Sequence, residues 1–133
     1  MILLLGGEKG GSGKSCLAQN LAVWMQVRGG DVLLLDADPQ GTTADWAAER
    51  ADSDLPAIPV VQAHGNIRQT LIDLRGRYRQ IVVDAGGADS EALRSAMTVA
   101  THMLIPFRPK RRDLKTLPKV ENLTRLATAV NPD

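Results

Sequence analysis

Short apolar runs alternate with stretches of helical periodicity along the whole chain. The runs show no strict alternation of polar and apolar residues, which is typical of strands buried on both faces of a parallel sheet. Strands are predicted at 1–5, 32–35, 57–63, 81–83 and 103–105, and helices at 15–28, 42–50, 66–77, 91–99 and 114–130. This order predicts a single α/β domain over 1–133, with a mostly parallel sheet covered by helices on both faces.

Glycine, proline and threonine mark the ends of several predicted elements. The Gly29–Gly30 pair should end the first helix, and Pro59 weakens the start of the third strand. Thr42 or Thr43 is expected to cap the second helix. Trp24, on the first predicted helix, is expected to be a packing residue, as is the tryptophan of the second.

The turn after the first predicted strand has the composition of a phosphate-binding loop. It reads Glu8-Lys9-Gly10-Gly11-Ser12-Gly13-Lys14-Ser15. Glycines let backbone N–H groups converge on an oxyanion, and the positive end of the following helix points at the same charge. Lys14 is expected to neutralise β- and γ-phosphate oxygens, and the Ser15 hydroxyl to ligate Mg²⁺. Glu8 stands where the common G-x-x-x-x-G-K-[ST] pattern has glycine.

Acidic residues follow two further strands at the same edge of the predicted sheet. Residues 36–41 read Asp-Ala-Asp-Pro-Gln-Gly, and Asp84 ends the apolar run 81–83 as in a Walker B strand. Carboxylates placed there can orient a water molecule or hold Mg²⁺ through water. Asp36 or Asp38 can equally cap the next helix, and the two roles do not exclude each other. Gly86 can let a backbone N–H approach the γ-phosphate.

These motifs resemble those of the ParA/MinD family of P-loop ATPases. The resemblance lies in the deviant Walker A pattern K-G-G-x-G-K-[ST] at 9–15 and in D-x-D-P-Q-G at 36–41. It implies a P-loop NTPase fold that binds ATP or ADP with Mg²⁺ and hydrolyses ATP slowly. It gives catalytic roles to Lys9, Lys14 and Asp38: Lys9 reaches phosphates bound by a second subunit, and Asp38 positions the attacking water.

The loop chemistry and the resemblance together define the expected ligand sets. The metal ligands are Ser15, Asp36 and Asp84, and the nucleotide contacts are Gly10, Gly11, Ser12, Gly13, Lys14, Ser15, Cys16 and Gly86. Cys16 occupies a position where family members usually carry threonine. It is expected to be a small packed residue rather than a nucleophile, since no histidine lies near it in sequence.

A proline-flanked loop at 106–109 favours the partition branch of the family, because a similar loop follows the fifth strand in ParA-type ATPases. A basic cluster follows it: Arg108, Lys110, Arg111 and Arg112. Such a cluster can bind a DNA backbone without reading sequence, but it also fits a solvated helix start or a subunit contact. The resemblance implies an ATP-dependent homodimer, nonspecific DNA binding, a centromere-binding ParB-type partner, and a cytoplasmic protein that joins the nucleoid when ATP is bound.

The overall composition limits these readings. The chain has 133 residues with 16 Lys+Arg against 15 Asp+Glu, a net charge of +1, so DNA contact would need a local patch. Its single cysteine excludes an internal disulfide, and its longest apolar run falls well short of a membrane span.

Two other functions stay open at this point. Relatives continue beyond Asn131 into another strand, so the sequence is expected to be the N-terminal portion of a ParA-type fold. Together with Glu8 and the altered loop at 86–88, this makes a non-catalytic, truncated nucleotide-binding adaptor credible. A relative with another task is the other alternative: septum placement, conjugation, or an enzyme such as dethiobiotin synthetase.

Overall fold

A five-stranded parallel sheet carries helices on both faces in the computed structural model, which describes residues 1–7, 13–86, 90–106 and 117–131. The strands are β1 (Ile2–Leu5), β2 (Val32–Asp36), β3 (Val60–Gln62), β4 (Gln80–Asp84) and β5 (His102–Leu104). The helices are α1 (Lys14–Val27), α2 (Thr42–Ala51), α3 (Arg68–Arg75), α4 (Glu91–Met97) and α5 (Leu117–Thr128). The predicted α/β architecture is confirmed.

The strand order brings the chemically interesting loops together. The order is β3-β2-β4-β1-β5, and every neighbouring pair is parallel. Because β4 lies between β1 and β2, Asp84 is opposite Leu5 on one side and Asp36 on the other. The carboxyl ends of these three strands therefore meet at one edge of the sheet, where ligands of open α/β sheets bind.

The core has two layers, one on each face of the sheet. The α1 and α2 side includes Leu5, Leu34 and Val82, and the α3, α4 and α5 side includes Leu35 and Ile81, all with at most 1% exposure. Burial of this kind stabilises a fold by about 1.5–3 kcal/mol per large apolar side chain. Because both faces of the sheet are covered, these strands carry apolar residues at consecutive positions, and their packed ends can support a site rigidly.

The glycine pair ends α1 as predicted. Gly29 has a φ of 79°, and the Gly30 N–H donates to the carbonyl of Met25 at 2.9 Å. A Cβ at position 30 would collide with Oε1 of Gln80. Gly29 is needed for the left-handed turn that ends the helix, and Gly30 is needed because the chain passes close to β4.

The third strand and the last helix differ slightly from their predicted bounds. β3 begins only at Val60, because Pro59 has no N–H for the ladder and contributes only its carbonyl, which accepts from Leu34 N–H at 3.0 Å. Pro118 is the second residue of α5, where a helix tolerates proline. Residues 114–116 of the predicted helix lie outside the described residues.

The expectation that Trp24 packs in the interior is wrong. Its side chain is 53% exposed, and the Arg28 guanidinium stacks 4.0 Å from its ring centroid. The buried face of α1 runs through Ala18, Ala22 and Met25 instead. Trp46 does pack against the α1 and α2 layer. Within the described residues, none of the helices has the length and apolar character needed to span a membrane.

Candidate functional site

The amino end of α1 presents the features of an anion site. Gly13 is the N-cap, with a φ of 82°, and it provides no side-chain cap. No described atom lies within 4 Å of a Cβ built at this position. The 14-residue helix α1 thus begins without a side-chain cap at its positive end, and uncapped amino ends of helices are places where phosphate and similar anions bind.

Lys14 joins this helix end to the two acidic loops. Its side chain is only 5% exposed, and its ammonium group forms an ion pair with Oδ1 of Asp84 and lies 3.7 Å from Oδ2 of Asp38. The structure thus brings together three of the predicted site residues from the ends of α1, β2 and β4. These three charged groups come from separate elements and form one cluster at the carboxyl edge of the sheet.

Two residues outside the predicted ligand sets support Asp84 from the other side: Thr43, which the sequence analysis considered only as a helix cap, and Gln19, which it did not name. The Thr43 hydroxyl donates to Oδ2 of Asp84 at 2.6 Å, and Nε2 of Gln19 donates to Oγ1 of Thr43 at 3.2 Å. Asp84 and Thr43 both have 0% exposure. The sequence signal for Thr43 was the pair of threonines after Gly41, because a helix start needs only one of them as a cap.

Asp36 caps α2 from the end of β2. Its Oδ2 accepts the Ala44 N–H at 2.8 Å and its Oδ1 accepts the Asp38 N–H at 3.0 Å. The predicted cap by Thr42 or Thr43 is therefore wrong: the N-cap is Gly41, which has no side chain, and a carboxylate from the preceding strand replaces it. The capping alternative holds for Asp36, and its contact with a metal stays a prediction.

Burial dominates the electrostatics of Asp36. Desolvation raises the pKa of its carboxyl group above the ordinary value, and repulsion from Asp84 and Asp38 acts in the same direction. The two backbone N–H bonds oppose the rise. A carboxylate with 0% exposure in such a position is suited to holding the backbone of the 36–41 loop in place.

Asp38 and Gly86 are in close contact. Asp38 is 7% exposed, and its Oδ1 accepts the Gln40 N–H at 3.0 Å. A Cβ at position 86 would lie 2.9 Å from Cγ and 3.0 Å from Oδ2 of Asp38. The glycine therefore lets the loop after β4 pass directly beside the carboxylate that the sequence analysis assigned to catalysis.

The remaining predicted contacts fall into two groups. Ser15 is half-buried in the first turn of α1, and Cys16 is exposed, so the expectation of a packed cysteine is wrong. The Asn20 amide donates to both the carbonyl and the sulfur of Cys16. The others lie outside the described residues: Lys9, Gly10, Gly11, Ser12, Arg108, Lys110, Arg111 and Arg112.

The described residues fit a magnesium nucleotide. Ser15 and Asp84 carry oxygen atoms of the kind that Mg²⁺ binds, and the Lys14 ammonium group and the amino end of α1 have the positive charge that suits phosphate oxygens. Among the described side chains, no group of three or more His, Cys, Asp or Glu residues is arranged to enclose a metal ion. Mg²⁺ does not need such a cage, because it commonly binds through one or two carboxylates, phosphates and water.

Comparison with known proteins identifies the family and the fold. Residues 3–130 match the model of the CobQ/CobB/MinD/ParA nucleotide binding domain. The solved cobyrinic acid a,c-diamide synthase from Mycobacterium smegmatis, with bound ADP and magnesium, superposes with a TM-score of 0.76. That structure is 18% identical, and the match covers 99% of this chain and 70% of the synthase.

Two curated relatives are more similar in sequence. Maintenance of carboxysome distribution protein A from Gloeobacter kilaueensis is 36% identical over 118 residues, covering 88% of this chain and 53% of the relative. Protein ParA from Rhizobium radiobacter is 30% identical over 113 residues, covering 84% and 50%. The chain thus spans about half the length of these relatives. It belongs to the CobQ/CobB/MinD/ParA nucleotide-binding domain family.

Proposed function

We propose that this chain is the nucleotide-binding part of a ParA-type ATPase that alternates between a monomer and an ATP-bound dimer to partition plasmid or chromosomal DNA. The observation that carries the proposal is the buried Lys14 ammonium, held between Asp38 and Asp84 beside the uncapped end of α1. The choice of DNA as cargo rests on the resemblance of the 9–15 and 36–41 motifs to ParA-type partition ATPases, together with the similarity to protein ParA.

The first step is phosphate capture. Lys14 leaves its carboxylate partners for β- and γ-phosphate oxygens, and the first-turn N–H groups of α1 bind the same phosphates. Ser15, Asp36 and Asp84 would hold Mg²⁺. Asp36 would support the metal site indirectly, because it binds the backbone of the 36–41 loop. Bound Mg²⁺ would neutralise charge that develops on the phosphate oxygens.

The second step is hydrolysis, for which Asp38 is the residue of choice. When Lys14 turns to phosphate, Oδ2 of Asp38 loses the cation that faces it at 3.7 Å. That oxygen is then free to orient the attacking water and accept its hydrogen bond, while Oδ1 stays bound to the Gln40 N–H. The backbone bond keeps the carboxylate in place during the exchange.

Dimerisation and DNA binding are assigned to segments outside the described residues. Lys9 would reach the phosphates of a second subunit, and the cluster Arg108, Lys110, Arg111 and Arg112 would contact the DNA backbone without sequence preference. A ParB-type centromere-binding protein would stimulate turnover. The ATP-bound form would be found on the nucleoid within the cytoplasm. These assignments depend on the family resemblance of the loops.

Three variants separate the steps when nucleotide binding, dimerisation and phosphate release are measured on the same protein. Lys14→Ala should lose nucleotide binding, Lys9→Ala should bind nucleotide but not dimerise, and Asp38→Ala should dimerise but not hydrolyse. An Asp38→Ala variant with the wild-type rate of phosphate release would refute its catalytic role. Tight nucleotide binding by wild type, without any turnover in the presence of DNA, would favour a non-catalytic adaptor.

A second candidate differs only in cargo. The similarity to a carboxysome distribution protein, at 36% identity, favours positioning of a protein compartment as the alternative task. Deleting the gene in its source organism distinguishes the two. Loss of plasmids or chromosomes from daughter cells supports DNA partition, whereas faithful DNA inheritance with misplaced protein compartments supports the alternative.

A further inference from the structure

Thr43 occupies an unusual place for the second residue of a surface helix. Its side chain has 0% exposure and lies between three elements: its own helix α2, Gln19 on α1 and Asp84 at the end of β4. The neighbouring Thr42 is exposed. The Thr43 hydroxyl therefore links α1 and α2 to the carboxylate of the site, a role beyond that of an ordinary residue in the first turn of α2.

The direction of the two hydrogen bonds fixes the Thr43 proton. The amide nitrogen of Gln19 can only donate, so the Thr43 oxygen accepts at 3.2 Å. The single hydroxyl proton is then directed to Oδ2 of Asp84 at 2.6 Å. A short hydrogen bond to an ionised carboxylate is roughly twice as strong as a neutral one.

The two oxygens of Asp84 have different partners. Oδ1 faces Lys14, and Oδ2 is held by Thr43. If Lys14 moves to phosphate, Oδ1 would be free to face a metal ion, while the Thr43 bond to Oδ2 would keep the carboxylate from rotating freely. Groups that orient a metal-facing carboxylate in this way commonly affect metal affinity about 10–100-fold.

We propose that Thr43 is a positioning residue that orients Asp84 for Mg²⁺ in the nucleotide complex and ties the start of α2 to that carboxylate. The inference rests on the proposed function, because it needs a magnesium nucleotide at this site. It predicts a defect in the use of Mg²⁺ rather than in the binding of phosphate.

The test is a Mg²⁺ titration at a fixed concentration of a fluorescent, non-hydrolysable ATP analogue, read as binding of the analogue. Thr43→Val removes the hydroxyl and keeps the shape, and should raise the half-saturating Mg²⁺ concentration about tenfold or more. Thr43→Ser, which retains the hydroxyl, should stay near wild type. Thr42→Val, the matched change at the exposed neighbour, should have no effect.

Binding of the same analogue in EDTA distinguishes positioning from a structural defect. Thr43→Val should keep its metal-free affinity, whereas a damaged fold would weaken binding equally with and without Mg²⁺. Equal losses in both titrations, or an unchanged Mg²⁺ midpoint, would overturn the inference. A wild-type protein that binds no analogue at any Mg²⁺ concentration would instead overturn the proposed function.

Gln19→Leu provides a second route if Thr43→Val does not fold. Gln19 is only half-buried, so the helix should tolerate the change. Without the amide donor, the Thr43 hydroxyl is less strictly directed at Asp84, and the Mg²⁺ midpoint should rise by a smaller factor than for Thr43→Val. A wild-type midpoint in the folded Gln19→Leu protein would count against the proposal.

Discussion

Replacing Lys14 with methionine would leave a buried carboxylate without its cation. Asp84 has 0% exposure, and the Lys14 ammonium group is its charged partner among the described residues. Methionine keeps most of the length and apolar volume of the lysine stem, so the change removes charge rather than packing. The experiment is made without nucleotide, where only folding is at issue.

The size of the effect follows from the burial of the pair. Removing one member of a buried ion pair typically destabilises a protein by about 3–5 kcal/mol. The Thr43 hydroxyl still donates to Asp84 in the variant, so we expect a loss near the lower end, about 3 kcal/mol. With a urea m-value of about 2 kcal/mol/M, the unfolding midpoint falls by about 1.5 M.

The double variant Lys14→Met/Asp84→Asn identifies the cause. Making position 84 neutral removes the unpaired charge, so the double variant should recover at least about half of the lost free energy of unfolding. Arg125→Met is the matched control, because Arg125 pairs with Glu121 at 2.8 Å on the surface, with both side chains at least 70% exposed. Its loss should stay below about 1 kcal/mol.

Urea unfolding followed by circular dichroism measures all three variants. The reasoning fails if Lys14→Met unfolds within about 0.5 kcal/mol of wild type, which is the range of ordinary surface substitutions. It also fails if the double variant is no more stable than the single one. Either result would mean that the Lys14–Asp84 contact does not neutralise a buried charge in solution.

Three further predictions address the loops and the surface. Gly86→Ala should push the Asp38 carboxylate aside, since its Cβ would lie 2.9 Å from Cγ; turnover should fall about 100-fold with nucleotide affinity nearly unchanged. The folded state holds the Asp36 proton more tightly than the unfolded state does. The contribution of Asp36 to the free energy of unfolding should therefore fall as pH rises from the ordinary pKa near 3.8 through the raised pKa of the folded chain. Asp36→Asn should abolish this pH-dependent contribution in urea unfolding measured across acidic pH. Trp24→Ala should cost about 1 kcal/mol or less in urea unfolding, since the ring is 53% exposed.

Each of these predictions has a control or a contrary outcome. Gly76→Ala is the control for Gly86→Ala, since its nearest described contact is a carbonyl at 3.5 Å; equal turnover losses would refute the steric argument. An identical pH dependence of wild type and Asp36→Asn would contradict a raised pKa at that residue. Leu71→Ala, at a site with 0% exposure, should cost about 2–5 kcal/mol, and a comparable loss for Trp24→Ala would place that ring in the core.

Local patterns predicted the strands and the gathering of the acidic loops well. Runs such as 32–35 and 81–83 are apolar at every position because both faces of the sheet are covered, and residues at the ends of parallel strands must share an edge. That geometric rule alone predicts that Lys14, Asp38 and Asp84 share one site, as the structure shows.

The missed features depend on contacts between distant elements. Helical periodicity shows that α1 is amphipathic, but it does not show that Trp24 lies beside the buried stripe rather than in it. The sequence left the cap of α2 open between its threonines and the acidic residues before it, and the structure gives it to Asp36, eight residues before the N–H that it accepts. Thr43 instead turns inward to a carboxylate 41 residues away. Propensity rules rank cap residues by type and cannot decide between such partners.

Isothermal titration calorimetry with Mg-ATP tests most directly whether the α1 amino end and Lys14 bind phosphate. Three proteins are compared: wild type, Asp84→Asn, which keeps the lysine, and Lys14→Met/Asp84→Asn, which should be more stable than Lys14→Met alone. We expect saturable heat from wild type, weakened heat from Asp84→Asn, and none from the double variant. A folded wild-type protein without binding heat, or a double variant that binds as tightly as Asp84→Asn, would contradict the account.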